Sequence, residues 1–378
     1  MKKQIYVLNQ RQEETFDAAG KAMRDVFAVL AEYGSKVIWS VPKRCNKFIK
    51  ILDLPYLVLF LLFCVGRESA VFYSIPENHM KVRMLKKVQK VKHYKLICFI
   101  NDLNAFRYGA AALSSMDEQA RQELEVVGMA DTVLIPNCGT EEMLKKIGMT
   151  AKLVPVGVWD YLMTKEQSEA LAGRRAQALT EQQKMREVSA AQETKAGQEM
   201  QKVTRIAFAG NLNKSAFLPL MDIPEGITME LWGKLDDDKK AELYAAQGEK
   251  CHYHGVLSSD EIPQAICTMD YGLVWDGEGR DEIAGGLGEY LRYNNSHKCA
   301  LYLTSGIPVI VWDKSGMSHF VREHECGITI GRLSELKEKL AAADYEKLKA
   351  QALAVAEQLQ KGYYLKRAID TALGVAQK

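Results

Sequence analysis

Residues 288–311 read GEYLRYNNSHKCALYLTSGIPVIV, a polar and aromatic run that passes through a helical pattern into an apolar strand. Asn294, Asn295, Ser296, His297 and Lys298 crowd the start of the helix. Cys299, Leu301, Tyr302 and Leu303 form its apolar part, Ser305 and Gly306 close it, and residues 307–311 form the strand. A helix N-terminus presents unpaired N–H groups and a partial positive charge, so a lysine placed there makes a seat for phosphate.

The same alternation of strand and helix extends in both directions. Toward the N-terminus, apolar strand patterns fall at 5–9, 36–41, 70–75, 96–100, 132–135 and 152–156. Helical patterns separate them at 18–33, 48–64, 80–93, 117–129 and 140–147. A second series follows, with strands at 206–208, 228–232, 251–254, 271–274, 309–312 and 327–330. Its helices are expected near Ala216, at 239–246, 261–268 and 318–323, and onward to the C-terminus. Such alternation predicts parallel sheets covered by helices, and two such series predict two doubly wound, Rossmann-like α/β domains facing a cleft. The expected boundaries are 1–160 for the N-terminal domain, 161–203 for an insertion or linker and 204–355 for the C-terminal domain. A final helix at 356–378 is expected to return to the first domain. Residues 164–202 carry seven glutamines and no strand-forming run, which predicts a long polar helix or helical hairpin exposed to solvent.

At 378 residues, two domains are expected. The eight cysteines are scattered without metal-ligand spacing and read as reduced, buried thiols of a cytoplasmic protein. The net charge of +2 conceals an asymmetry, because residues 1–110 carry 19 Lys/Arg against 9 Asp/Glu. That half is built to meet something anionic. No nucleic-acid-reading motif accompanies the charge, so nucleic acid is set aside as a partner. The apolar run at 54–65 is too short to span a bilayer, and the opening MKKQIYVLN reads as a strand rather than a signal peptide. The basic run Lys81, Arg83, Lys86, Lys87, Lys90, Lys92 and Lys95 has no acidic residue within it. Two readings stand: a solvated face, or, with 43–65, a peripheral contact with anionic lipid on the inner face of the plasma membrane.

On ICFINDLNAFRYG (97–109), DTVLIPNCGTEEMLKKIGM (131–149), VGVWD (156–160), FAGNLNKSAF (208–217), YGLVWDG (271–277) and GEYLRYNNSHKCALYLTSGIPVIVW (288–312), the chain resembles a group of bacterial GT-B glycosyltransferases. They are UDP-sugar enzymes: β-1,6-galactofuranosyltransferases, and the glucosyltransferases that extend GlcNAc on serine-rich adhesins. The likeness covers most of the chain except 164–202. It implies the GT-B fold and transfer of a hexosyl group from a UDP-sugar to a sugar hydroxyl of a cell-surface polysaccharide or glycan. Galactofuranosyl is expected first, glucosyl or galactosyl otherwise, with an inverting outcome, no metal and no cofactor. The acceptor, a glycan or lipid-linked saccharide, is assigned to the first domain, and a homo-oligomer is left open. The alternative is a non-catalytic subunit of the same fold that positions a partner transferase.

Without a metal, the leaving diphosphate is neutralised by basic side chains and helix dipoles, and Lys298 and Lys214 fill those roles by position. Asn211 and Gly233 flank strand ends beside them. Trp232 ends a strand where it is placed either to stack on uracil or to sit in the core. Tyr293, Asn294 and Ser296 are placed for the diphosphate or the donor sugar, and His297 for a phosphate oxygen or a helix cap. Thr15 matches the family's threonine that faces the donor. Asp276 and Glu289 are carboxylates for donor hydroxyls. Asp102 is either the base that takes the acceptor's proton or an Asx cap of the following loop. Asp236, Asp237 and Asp238 read as a solvated turn and helix start rather than a metal site.

Overall fold

The computed structural model describes residues 4–9, 18–39, 47–107, 116–196 and 203–375. The chain divides into two compact units: Met1–Trp159 with Arg292–Asn295 and Gly362–Lys378, and Asp160–Leu291 with Ser296–Lys361.

Unit one holds an all-parallel sheet of β1 (Ile5–Asn9), β2 (Lys36–Trp39), β3 (Ala70–Ile75), β4 (Lys95–Ile100), β5 (Thr132–Ile135) and β6 (Lys152–Pro155), in the order β2-β1-β3-β4-β5-β6. Leu96–Ile100 is almost wholly buried, as a strand covered on both faces requires. The intervening helices are α1 (Ala18–Glu32), α2 (Lys47–Cys64), α3 (His79–Lys92), α4 (Asn104–Arg107), α5 (Glu118–Gly128) and α6 (Cys138–Lys146). Several begin at residues whose side chains accept their first free N–H groups: Asn78 for α3, Asp117 for α5 and Asn137 for α6.

Asn137 also holds the distant segment Arg292–Asn295 in this unit. Its Nδ2 donates to the Tyr293 carbonyl at 3.0 Å and to Asn295 Oδ1 at 2.9 Å, and Asn295 Nδ2 donates to the Pro136 carbonyl at 2.8 Å. The Tyr293 ring lies 5.2 Å from that of Phe106. The fit needs a glycine, because a Cβ on Gly139 would lie 2.2 Å from the Arg292 carbonyl oxygen.

Unit two repeats the architecture with β7 (Thr204–Ala209), β8 (Ile227–Trp232), β9 (Cys251–Tyr253), β10 (Tyr271–Val274), β11 (Val309–Trp312) and β12 (Gly327–Ile330), in the order β12-β11-β10-β7-β8-β9. It opens with α7 (Lys165–Ala196), and its further helices are α8 (Asp237–Gln247), α9 (Ile262–Ile266), α10 (Gly285–Glu289), α11 (His297–Thr304), α12 (Ser318–Glu323), α13 (Leu336–Ala342) and α14 (Tyr345–Gln360). The last helix of the chain, α15 (Tyr363–Leu373), belongs to unit one. There Asp370 accepts a 2.9 Å hydrogen bond from the Tyr33 hydroxyl and Arg367 donates to the Val156 carbonyl.

Three expectations change, the first being the buried thiols, since Cys64 and Cys138 are exposed. No α-helix forms near Ala216; a 3-10 turn at Leu212–Lys214 leads into consecutive turns that bury Phe217, Leu218 and Met221, and Pro219 interrupts any helical run. Of the two readings of the glutamine-rich stretch the single helix holds over its described length, but its base is packed rather than solvated, with Leu171 fully buried.

Nearby, Arg175 covers Gly306, whose φ of +69° and lack of a Cβ allow the approach. On α14, burial and then the Arg175 charge push the Lys349 ammonium down to about 8. Between that value and the ordinary lysine value near ~10.4 the unfolded chain binds more protons than the folded one, so stability rises with pH across this window. Lys349→Met is therefore expected to stabilise the protein at pH 7 by about 1–3 kcal/mol, with the gain shrinking as pH rises from about 8 to about 10 in urea unfolding. A gain that does not change with pH contradicts this account.

Candidate functional site

In the second sheet the strand order reverses between β7 and β10, and the crevice at the carboxyl ends of two such strands is where doubly wound domains bind ligands. Helix α11 lies over this pair. Gly272 in β10 has no side chain, and a Cβ there would meet the Tyr302 ring at 2.2 Å, so the tyrosine packs flat against the strand. Its hydroxyl accepts the Ala209 N–H of β7 at 2.8 Å. Tyr302 thereby clamps α11 to both strands at the reversal.

Lys298 precedes Tyr302 by four residues and shares its helix face. Its Nζ lies 3.1 Å from Asp276 Oδ2, 3.3 Å from the Trp275 carbonyl oxygen and 4.5 Å above the Phe208 ring. An ammonium has three donors, so these partners leave one for a ligand. The side chain is 16% exposed, enough for its head to be reached. The stem passes over Gly210, where a Cβ would stand 3.1 Å from Lys298 Cε. Gly233 lies closer still to its neighbour strand: a Cβ would fall 1.7 Å from the Gly210 oxygen, and its φ is +128°. The ends of β7, β8 and the residues after β9 are laced by Gly210 N–H to Trp232 O and Gly233 N–H to Gly255 O.

Around this centre, Ser296 takes the N-cap position of α11 without a side-chain capping bond, and His297 is the half-buried first residue. Asn211 is exposed and accepts the Asn213 N–H, opening the turn on which exposed Lys214 stands. Trp232 is 4% exposed and its ring is stacked on His254 at 4.5 Å. Glu289 ends α10, half-buried. Asp236 sits at the N-cap position of α8, which Asp237 and Asp238 begin.

Tyr293 and Asn294 belong to unit one, as do Arg292 and Asn295 on either side. The Asn294 Oδ1 is buried without a hydrogen-bond partner, an acceptor left open for a ligand or water. Asp102, after β4, is paired with Arg107 at 2.7 Å. Thr15 lies outside the described residues.

Residues 4–158 match the family described as Glucosyltransferase 3-like, N-terminal domain, and residues 206–372 match Glucosyltransferase 3-like, C-terminal domain. The chain belongs to the glucosyltransferase 3-like family. Within the range of this family it is similar to Beta-1,6-galactofuranosyltransferase WbbI of Escherichia coli (strain K12), 21% identical over 371 residues that cover 97% of each chain. It is 30% identical to Glucosyltransferase 3 of Streptococcus gordonii over 124 residues, 32% of this chain and 36% of that one. Its fold is GT-B. The crystal structure of Anabaena Alr3699/HepE in complex with UDP matches over 99% of this chain and 100% of that one, with a TM-score of 0.57 at 12% identity.

Four groups escaped the sequence reading. Tyr302 and Phe208 look like core residues until the strand order places them at the reversal. Glu230, on β8, accepts from His252 at 2.9 Å and His254 at 2.6 Å. Burial pushes its carboxyl up, but the histidine and Thr228 hydrogen bonds prevail and hold it below its ordinary value. Near Asp102, the Glu123 carboxyl is pushed up by burial, against hydrogen bonds from the Ala105 N–H and Asn104. For Glu230, only the pairing of β8 with β9 brings the histidines within reach.

If Tyr302 fixes α11, Tyr302→Phe leaves the Ala209 N–H buried without an acceptor and costs about 1–3 kcal/mol in urea unfolding. A variant as stable as the parent removes the clamp from the account.

Proposed function

We propose that this member of the family transfers a hexosyl group from a UDP-sugar to a hydroxyl of a growing cell-surface glycan, with the donor bound in unit two. The observation that carries the reading is the Lys298 ammonium, held over the β7/β10 reversal beside the N-terminus of α11 with one donor to spare. The name of the Escherichia coli relative supports glycosyl transfer, and the UDP in the Anabaena structure supports a UDP-sugar as donor. Galactofuranosyl is the first choice of sugar, because the likeness to the galactofuranosyltransferase runs the length of both chains. Glucosyl and galactosyl are the alternatives.

In this reading the acceptor hydroxyl attacks the anomeric carbon as the bond to the diphosphate breaks, which inverts the configuration. Negative charge develops on the leaving oxygen, and Lys298 together with the positive N-terminal end of the α11 dipole stabilises it, so no metal is required. Asp276 supplies the ammonium's counter-charge and holds its aim when no diphosphate is present. Lys214, exposed at the end of its turn, supplies a second cation. Asn211, Gly233, Ser296, His297 and Glu289 line the donor in unit two, and Trp232, buried and stacked on His254, supports them from the core. The acceptor is assigned to unit one, where Asp102 takes its proton once released from Arg107.

Lys298→Met keeps the stem that packs over Gly210 and Phe208 and removes only the charge. UDP affinity in calorimetry is expected to fall about 10- to 100-fold, the worth of a charge-assisted hydrogen bond, and transfer to be lost. Asp276→Asn with Lys298→Met removes both charges and serves as the folded control. Unchanged UDP affinity in folded Lys298→Met would falsify the assignment. A panel of UDP-galactofuranose, UDP-galactopyranose and UDP-glucose, scored by mass spectrometry with simple glycoside acceptors, decides the sugar.

A further inference from the structure

Helix α2 is apolar on both sides. Between Leu52 and Gly66 its only charged residue is Asp53, which is buried and paired with Lys81 of α3. Leu57 and Leu61 are buried on the same side as Asp53, so the inward face is already used. The opposite stripe, Leu52, Tyr56, Leu59 and Phe63, recurs at positions i, i+4, i+7 and i+11, and its members are 65%, 42%, 54% and 82% exposed. Leu62 beside it is 37% exposed. A helix on the surface of a monomer normally turns charge to water there.

Helix α3 is bound alongside through Lys81 and through Lys92, whose Nζ donates to the Leu62 carbonyl at 2.7 Å. Its outward stripe extends the apolar face through exposed Met80 and Val91, with Lys87 between them and Lys90 next in line. Arg83 and Lys86 are answered by Glu125 and Asp131, whereas Lys87 and Lys90 have no ion pair among the described residues. Where the two helices end, Arg67, Lys90 and His93 line a shared hollow together with Glu68 and Asp131.

We propose that this face of unit one docks on the surface of an anionic lipid bilayer, with Leu59 and Phe63 immersed among the acyl chains and Lys87, Lys90 and Arg67 at the headgroups. An interfacial helix with apolar residues on one side and cations at its margin binds in this way. No helix among the described residues is long and apolar enough to cross a membrane, so α2 would lie along the interface. Charge argues against a second copy as the occupant, because 19 basic residues against 9 acidic in residues 1–110 would bring like charges together across a two-fold contact. The proposal goes beyond the transferase reading, because a vesicle assay registers it without any turnover.

The test is flotation of the full chain with vesicles of neutral lipid alone or with about 30% anionic phospholipid. The wild type is expected to bind the anionic vesicles at least about tenfold more tightly than the neutral ones, and less tightly in high salt. Leu59→Ser with Phe63→Ser, and separately Lys87→Glu with Lys90→Glu, are each expected to lose about tenfold or more, with circular dichroism and UDP affinity unchanged. Equal binding to both vesicle types, no binding to either, or variants that bind like the wild type overturn the proposal. So does a dimer in analytical ultracentrifugation that the same variants abolish, which assigns the face to a second copy.

Discussion

A lysine ammonium drawn into the ends of a buried sheet must keep a counter-charge and a clear path, and unit two is arranged around that requirement. Asp276 supplies the charge at 3.1 Å, the Trp275 carbonyl a second acceptor and the Phe208 ring a face for the cation. The path exists because residues 210, 233 and 272 are glycines: the first lets the lysine stem pass, the second lets strand ends approach, and the third lets Tyr302 lie flat and hold α11 in place. Any side chain at these points would push the helix or the strands apart, and the ammonium would lose its aim. The anion-attracting end of α11 and the cation next to it then act at one place.

Unit one depends on a different constraint, the satisfaction of buried amides. Asn137 and Asn295 are each 3% exposed, and a buried amide left without partners costs far more than the hydrogen bond it makes contributes. Their mutual bond, with the bonds to the Tyr293 and Pro136 carbonyls, keeps Arg292–Asn295 within this unit although the sequence on either side belongs to the other. The motif that carries the family resemblance therefore serves two purposes. Residues 292–295 anchor the chain in this unit, and the residues from Ser296 onward open helix α11 over the second sheet.

The alternation of strands and helices was readable because a strand covered on both faces must be apolar throughout and the connecting helices must be amphipathic. All twelve strands of the described residues lie where apolar runs stand in the sequence, with ends shifted by a residue or two. The junction after β7 was not readable in this way, since Phe217, Leu218 and Met221 imitate a helical stripe while they fill turns. Lys298 was legible from its place at a helix start, but its partners were not. Asp276 and Phe208 are far from it in sequence and meet it only through the strand order. For the same reason Glu230 with its two histidines went unseen, while the pairing of Asp102 with Arg107 five residues away lay within reach of the local sequence.

The most direct test of the central claim is a crystal structure of the protein with UDP. The account predicts the diphosphate at the carboxyl ends of β7 and β10, with an oxygen within hydrogen-bond distance of Lys298 Nζ and others facing the first N–H groups of α11. A diphosphate bound anywhere else in unit two, or in unit one at the reversal between β1 and β3, with Lys298 still closed on Asp276, would contradict it.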